Sequence, residues 1–187
     1  MKRILLLADL HQQNYVLKNL DNFLFKNKFS GIILAGDLTN RNYSSLDYAK
    51  KFEAVIKKNK LTLFYIPGNN DHEDVIDYFE HNNYSVHLKG KHFGGFKIIG
   101  IGGVDDVYMP LGFSSSNSIL VTHMPPILSN KNFKDAPPIH IFGHTHFWEY
   151  SRKQGSTSLI QLKAAIYNRA AILELPSLKV QFINFKI

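Results

Sequence analysis

The sequence predicts an α/β fold in which two sheets pack face to face with helices outside, and three observations predict it. The first half alternates continuous apolar runs with stretches of helical period. The second half strings short apolar runs between glycine-rich turns. Five short polar pieces, Asp9-Leu10-His11, Gly36-Asp37, Gly68-Asn69-Asn70-Asp71, Thr122-His123 and Gly143-His144-Thr145-His146, each follow one of the apolar runs.

Residues 3–8 form the first buried strand and end at Asp9. From Asn14 to about Lys28, apolar residues at Val16, Leu17, Leu20, Phe23 and Leu24 mark one face of a helix. Gly31–Ala35 is the second strand. Ser44 or Ser45 caps a helix to about Lys58, with Leu46, Ala49, Phe52, Glu53 and Ile56 at helical spacing. Leu61–Ile66 is the third strand, stopped by Pro67-Gly68. Asp71 then reads as the N-cap of a short helix to about Glu80 that buries Val75, Ile76 and Phe79. Strands separated by helices imply parallel pairing through crossovers, so the carboxyl ends of the strands share one edge.

In the second half, Tyr84–Leu88, Lys91–Phe96, Lys97–Ile101, Ser118–Thr122, Ile139–Phe142, Leu159–Leu162, Ala170–Leu175 and Val180–Phe185 read as strands. The loops Gly103–Asn117 and Met124–Pro138 flank His123 and are the expected places for substrate contacts.

Composition narrows the chemistry. At 187 residues the natural expectation is one domain, 1–187, with a core of normal size. The apolar run behind Lys2 and Arg3 stops at Asp9, short of the roughly 7–15 residues of a signal core. No stretch approaches the ~20 apolar residues of a membrane span, so the expected location is the cytoplasm, away from membranes. Cysteine is absent, which excludes disulfides and thiolate zinc sites and leaves His, Asp, Asn and Glu to hold any metal. A formal charge of +7 suits an anionic substrate, although Lys50, Lys51, Lys57, Lys58 and Lys60 account for much of it in solvated positions. Nucleic acid is one candidate on charge, but no helix-turn-helix, aromatic RNA platform or zinc-finger spacing accompanies it.

The polar pieces would bring Asp9, His11, Asp37, Asn69, His123, His144 and His146 to one sheet edge. Seven such ligands exceed what one ion needs and suit two divalent ions that share a carboxylate, the arrangement that hydrolyses phosphate esters. In an extended segment Asp9 and His11 would project to one side, and His144 and His146 would repeat that geometry. Asp37 closes a strand with its carboxylate in apolar surroundings, where it can bridge two cations. Gly36 and Gly68 would let the backbone approach the ions.

The order D-x-H, G-D, G-N, H and G-H-x-H over residues 9–146 resembles the calcineurin-like metallophosphoesterase superfamily. Gly143-His144-Thr145-His146 resembles the form in its small prokaryotic members, and residues 96–103 resemble a strand of small archaeal and bacterial phosphoesterases. The resemblance implies a four-layer αββα sandwich with a mixed, partly parallel sheet pair and the metal site at the strand ends. It also implies that Asp9, His11 and His146 hold one ion, that Asn69, His123 and His144 hold the second, and that Asp37 bridges them. Many members carry histidine where this chain has Asn70, a residue with no proton to give at neutral pH but able to hydrogen-bond a phosphate oxygen. Glycine usually stands where Gln12 does.

The expected activity is therefore a phosphodiesterase using a hydroxide that bridges the two ions, with Asn70 and His123 steadying charge on the phosphoryl oxygens. Four histidines favour manganese, iron, zinc, cobalt or nickel over magnesium. A nuclease acting on nucleic-acid ends, or a protein-binding scaffold of the same fold, are the alternatives. His72 is a candidate acid, though an exposed and idle place in a first helical turn is the stronger expectation. His81, His87, His92 and His140 have no expected role. Arg152, Tyr167 and Arg169 include candidates for reaching a phosphate.

Overall fold

The computed structural model describes residues 1–41, 45–103, 117–126 and 137–186. The chain runs β1 (Lys2–Leu7), α1 (Asn14–Lys26), β2 (Gly31–Ala35), α2 (Leu46–Lys58), β3 (Thr62–Ile66) and α3 (Glu73–His81). It continues through β4 (Gly90–Phe93), β5 (Phe96–Ile101), β6 (Ser118–Thr122), β7 (Ile139–Phe142), β8 (Tyr150–Gln154), β9 (Thr157–Gln161), β10 (Arg169–Leu175) and β11 (Lys179–Asn184). One sheet has the order β11-β10-β1-β2-β3 and the other β4-β5-β6-β7-β9-β8. Strands β1, β2 and β3 pair in parallel, as do β5, β6, β7 and β9, while β10, β11, β4 and β8 add antiparallel neighbours.

Two clusters hold these layers together. Ile4, Leu6, Ile33, Phe64 and Ile66 from one sheet meet Ile98, Val121, Ile141 and Ile160 from the other. The alternate residues Leu5, Leu7, Ile32, Leu34 and Tyr65 pack against Val16, Leu20, Phe52 and Phe79 of the helices. Each large aliphatic side chain so buried contributes roughly 1.5–3 kcal/mol. Because β1 and β2 are covered on both faces, their sequences are continuously apolar rather than alternating. Among the described residues all three helices lie on the first sheet. The outer face of the second carries buried Leu120, His140, Phe142 and Leu159. No described helix is long and apolar enough to cross a membrane.

Three expectations need correction, and one strand was not expected at all. Tyr84–Leu88 is not a strand: single bridges Tyr65↔Ser85 and His87↔Gly100 use it to stitch β3 to β5, and so one sheet to the other. The boundary between the strands expected at Lys91–Phe96 and Lys97–Ile101 falls earlier, at a turn through Gly94 and Gly95, both at positive φ. The exposed, polar edge strand β8 carried no hydrophobic signal. Finally, α3 begins at Glu73 with His72 as its N-cap, whose Nδ1 accepts from the Asp74 amide at 3.4 Å. Asp71 is pulled away from that position by other partners. The loops expected to touch substrate fall mostly outside the described residues.

Candidate metal centre

The parallel strands of both sheets release their polar pieces at one edge, and backbone hydrogen bonds lock those pieces to one another. The amides of Asp9, Leu10, His11 and Gln12 donate to Gly36 O, Asp37 O, Asp37 O and Leu38 O at 3.0, 2.9, 3.1 and 3.0 Å. The Gly143 amide donates to His123 O at 3.2 Å. Asp9, His11, Asp37, His144 and His146 sit at φ of 60, 47, 53, 70 and 61°, in the left-handed region. The extended D-x-H and H-x-H geometry expected from the sequence is thus wrong. Residues without glycine's freedom cost of order 1–3 kcal/mol each in such conformations, and they persist where surrounding bonds over-determine them. Here the crossed loops do so.

All seven sequence-predicted positions come together, in two groups about Asp37. In the first, Asp9, His11, Asp37 and His146 bring one ligand atom each to within 4.8 Å of one another. His11 Nε2 stands 3.1 Å from His146 Nε2. In the second group, Asn69 Oδ1 lies 2.8 Å from His123 Nε2 and 3.1 Å from His144 Nδ1. Asp37 Oδ2 is 3.7 Å from His11 Nε2 on one side and 3.4 Å from His123 Nε2 on the other.

The donor chemistry fits divalent cations. Nδ1–H of His11 donates to Asn40 Oδ1 at 3.0 Å, and Nδ1–H of His123 donates to Ala35 O at 2.9 Å. In the neutral rings this leaves the lone pairs on Nε2, aimed inward at another imidazole nitrogen or at amide and carboxylate oxygens. Such groups repel one another unless a proton or a metal cation lies among them. Asp9 adds to this: its Oδ2 accepts from the His144 amide at 3.1 Å, while its buried Oδ1 accepts no hydrogen bond. His146 Nε2 makes only an ion-pair contact with that oxygen, at 3.4 Å.

Electrostatics follow from the same contacts. Burial pushes the Asp37 carboxyl upward, but the His123 contact and both Asn70 donors outweigh it and hold its pKa at about 2. Burial lowers His123, and the Asp37 carboxylate more than compensates, so the ring is raised. His146 is raised by the Asp9 carboxylate beside it against the effect of burial. Burial and then the neighbouring His123 lower His144.

Glycines set the close approach of the loops to each other. A Cβ on Gly68 would lie 2.1 Å from Asp37 Oδ1, and one on Gly36 would lie 2.5 Å from His123 Nδ1. Asn70 uses both its nitrogens on Asp37, the backbone amide at 2.7 Å from Oδ1 and the side-chain amide at 2.8 Å from Oδ2.

Two supporting residues escaped sequence reasoning. Asn40, three positions past Asp37, orients His11; only its place in the polar run 39–41 hinted at it. Asp71 is the other. Its carboxylate accepts from Thr39 N and Oγ1, Tyr65 OH and Gly68 N at 2.9, 2.9, 3.0 and 2.9 Å, joining the loop after β2 to the loop after β3. Beside Asn69 opens a cleft of about 450 Å³ lined by Arg41, His72, Glu73, Ile76 and Gly103. His140, given no role, is 2% exposed; Thr122 Oγ1 lies 2.8 Å from its Nε2 and donates to Met124 O, bracketing His123. Burial lowers the His140 pKa to about 3.

An Asp/His cluster that could hold a divalent metal ion therefore lies at the shared carboxyl edge of two mixed sheets. The chain belongs to the calcineurin-like phosphoesterase family, which matches residues 2–173. Members of that family act on phosphoesters. No curated protein matches it significantly in sequence. Among solved structures it is similar to a Thermus thermophilus protein, TT1561, at a TM-score of 0.76 and 16% identity over 98% of this chain and 99% of that one. It is also similar to an archaeal phosphodiesterase, at 0.64 and 16% over 97% and 98%. A dimetal phosphatase from Danio rerio follows, at 0.62 and 11% over 98% and 99%. At these identities the likenesses show the fold.

Proposed function

We propose that residues 1–187 act as one domain, a dinuclear metal-dependent phosphodiesterase. Asp9, His11 and His146 hold one ion, Asn69, His123 and His144 hold the other, and Asp37 lies between them. The observation that carries this reading is the position of Asp37 Oδ2, within 3.7 Å of a nitrogen from each group. Two divalent ions, when bound, lower the pKa of water toward neutrality and act as Lewis acids toward phosphoryl oxygens. The chain's own residues do the rest. Asp37, ionised at any working pH, supplies the shared negative charge. Asn70, fixed by its backbone amide on Asp37, turns its side-chain amide to a phosphoryl oxygen when substrate competes for it. His123, anchored on Ala35 O, keeps its Nε2 aimed at the same place. Four imidazoles favour manganese, iron, zinc, cobalt or nickel over magnesium.

The resemblance to an archaeal phosphodiesterase and a dimetal phosphatase supports both parts of the reading. The test is a titration of chelator-treated protein with manganese, followed by hydrolysis of bis-p-nitrophenyl phosphate and p-nitrophenyl phosphate. Saturation at two ions per chain with preference for the diester is expected. Saturation at one ion overturns the dinuclear assignment, and cleavage of the monoester alone overturns the phosphodiesterase.

A further inference from the structure

Immediately after His146 the chain places Phe147 and Trp148 in solvent, 65% and 68% exposed. Tyr167 and Tyr15, from distant parts of the sequence, join them at 42% and 47% exposed. The rings of Phe147 and Tyr167 lie 6.1 Å apart at 38°, and the Phe147 ring is 6.4 Å from that of His146. Tyr15 OH donates to Ile166 O at 2.6 Å, which fixes one ring against the segment that carries the other.

That segment is built onto the metal edge. Ala164 N donates to His146 O, Ala165 N to Ala8 O and Ile166 N to Asp9 O, at 3.0, 2.8 and 3.4 Å. The shelf is therefore positioned by the backbone of two candidate ligands. One cation lies on it: Lys163 Nζ sits 5.3 Å over the Tyr167 ring, while the Glu149 carboxylate pairs with Arg169.

Phe147 and Tyr167 in ring contact, with Trp148 next to Phe147 in the chain, make an exposed aromatic surface beside the candidate metal edge, which marks a binding surface. Aromatic rings interleaved with cations are what stack successive bases of a single strand, tolerant of sequence because every base has a π-face. The Lys163 cation on the Tyr167 ring favours an anionic strand over an apolar protein face.

We propose that Phe147, Trp148 and Tyr167 stack the bases of single-stranded nucleic acid and present an adjacent phosphodiester to the metal edge. The chemistry rests on the phosphodiesterase reading; the binding does not. Trp148 is the only tryptophan of the chain and reports stacking directly. The full-length Asp37→Asn protein, which keeps the shelf, is titrated with a short oligothymidylate and with an abasic strand of equal length. Tryptophan emission is expected to quench with the oligothymidylate and not with the abasic strand. Phe147→Ala and Tyr167→Ala should each raise the half-saturating concentration about fivefold or more, whereas Tyr167→Phe should leave it near the parent value. Equal quenching by the abasic strand, or half-saturation unmoved by the alanine variants, overturns the proposal. An emission shift that depends on protein concentration alone assigns the shelf to self-association and overturns it too. Because the readout is binding, a failed diesterase assay leaves this result intact, and the reverse also holds.

Discussion

Gly68→Ala tests whether the approach of two loops builds the centre. The new Cβ would lie 2.1 Å from Asp37 Oδ1 and 2.3 Å from Asp37 N, so neither neighbour is a flexible chain end that can swing away. Ordinary contact requires that gap to grow by more than about 1 Å, and the whole β3–α3 loop must move with it. Asn69 and Asn70 ride on that loop, and the Asn70 donors to Asp37 at 2.7 and 2.8 Å stretch or break. Overpacking of this kind costs about 1–3 kcal/mol, to be read from urea unfolding of metal-free protein. Turnover of bis-p-nitrophenyl phosphate under native conditions should fall by about 10²-fold, because an ångström of misplacement at reacting groups has that effect. Wild-type stability and turnover in the variant would refute the reasoning outright. A stability loss with full turnover would show that the loop packs the fold without positioning the site.

Asp37→Asn should weaken metal uptake at both groups and abolish most turnover while preserving the circular dichroism spectrum, since burial between and outside the sheets holds the fold; near-wild-type turnover at limiting manganese would remove the bridge assignment. Glu53 is buried, which raises its pKa, but Lys57 Nζ at 2.9 Å and the hydroxyls of Tyr78 and Tyr84, both at 2.8 Å, lower it further than burial raises it. Its contribution to stability is therefore present above the ordinary value of 4.5 and lost as pH falls below it through the depressed value. Glu53→Gln should flatten the decline of the urea midpoint between about pH 5 and pH 3, and an unchanged decline would exclude Glu53 as its source. Without an acid at position 70, diesters of acidic phenols should be cleaved much faster than alkyl diesters; Asn70→His should narrow that gap by up to about 10²-fold. A gap unchanged by Asn70→His but widened by His72→Ala would move the acid to His72, which lines the adjoining cleft.

The residues of the candidate centre were legible in the sequence because each follows an apolar run that stops abruptly. Apolar runs and polar stops are local properties, and they sufficed to locate β1, β2, β3, β6 and β7 and to exclude thiol chemistry. Tertiary structure alone decided how those residues stand. His11 meets His146 across 135 positions of chain, and the left-handed backbone at five ligand positions exists only because crossed loops bond to one another. Asp71 looked like a helix cap because Asp is a good one. Four donors from two loops and β3 claimed its carboxylate instead, and His72 took the cap. Residues 84–88 looked like a strand, yet they serve as a suture between sheets, a role that has no sequence period. No aromatic platform was visible in the sequence, since Tyr15, Phe147 and Tyr167 become neighbours only when Ala164–Tyr167 docks on the backbone of Asp9 and His146. Local patterns of hydrophobicity say which residues reach the sheet edge; the hydrogen bonds and contacts between segments far apart in the chain set what each does there.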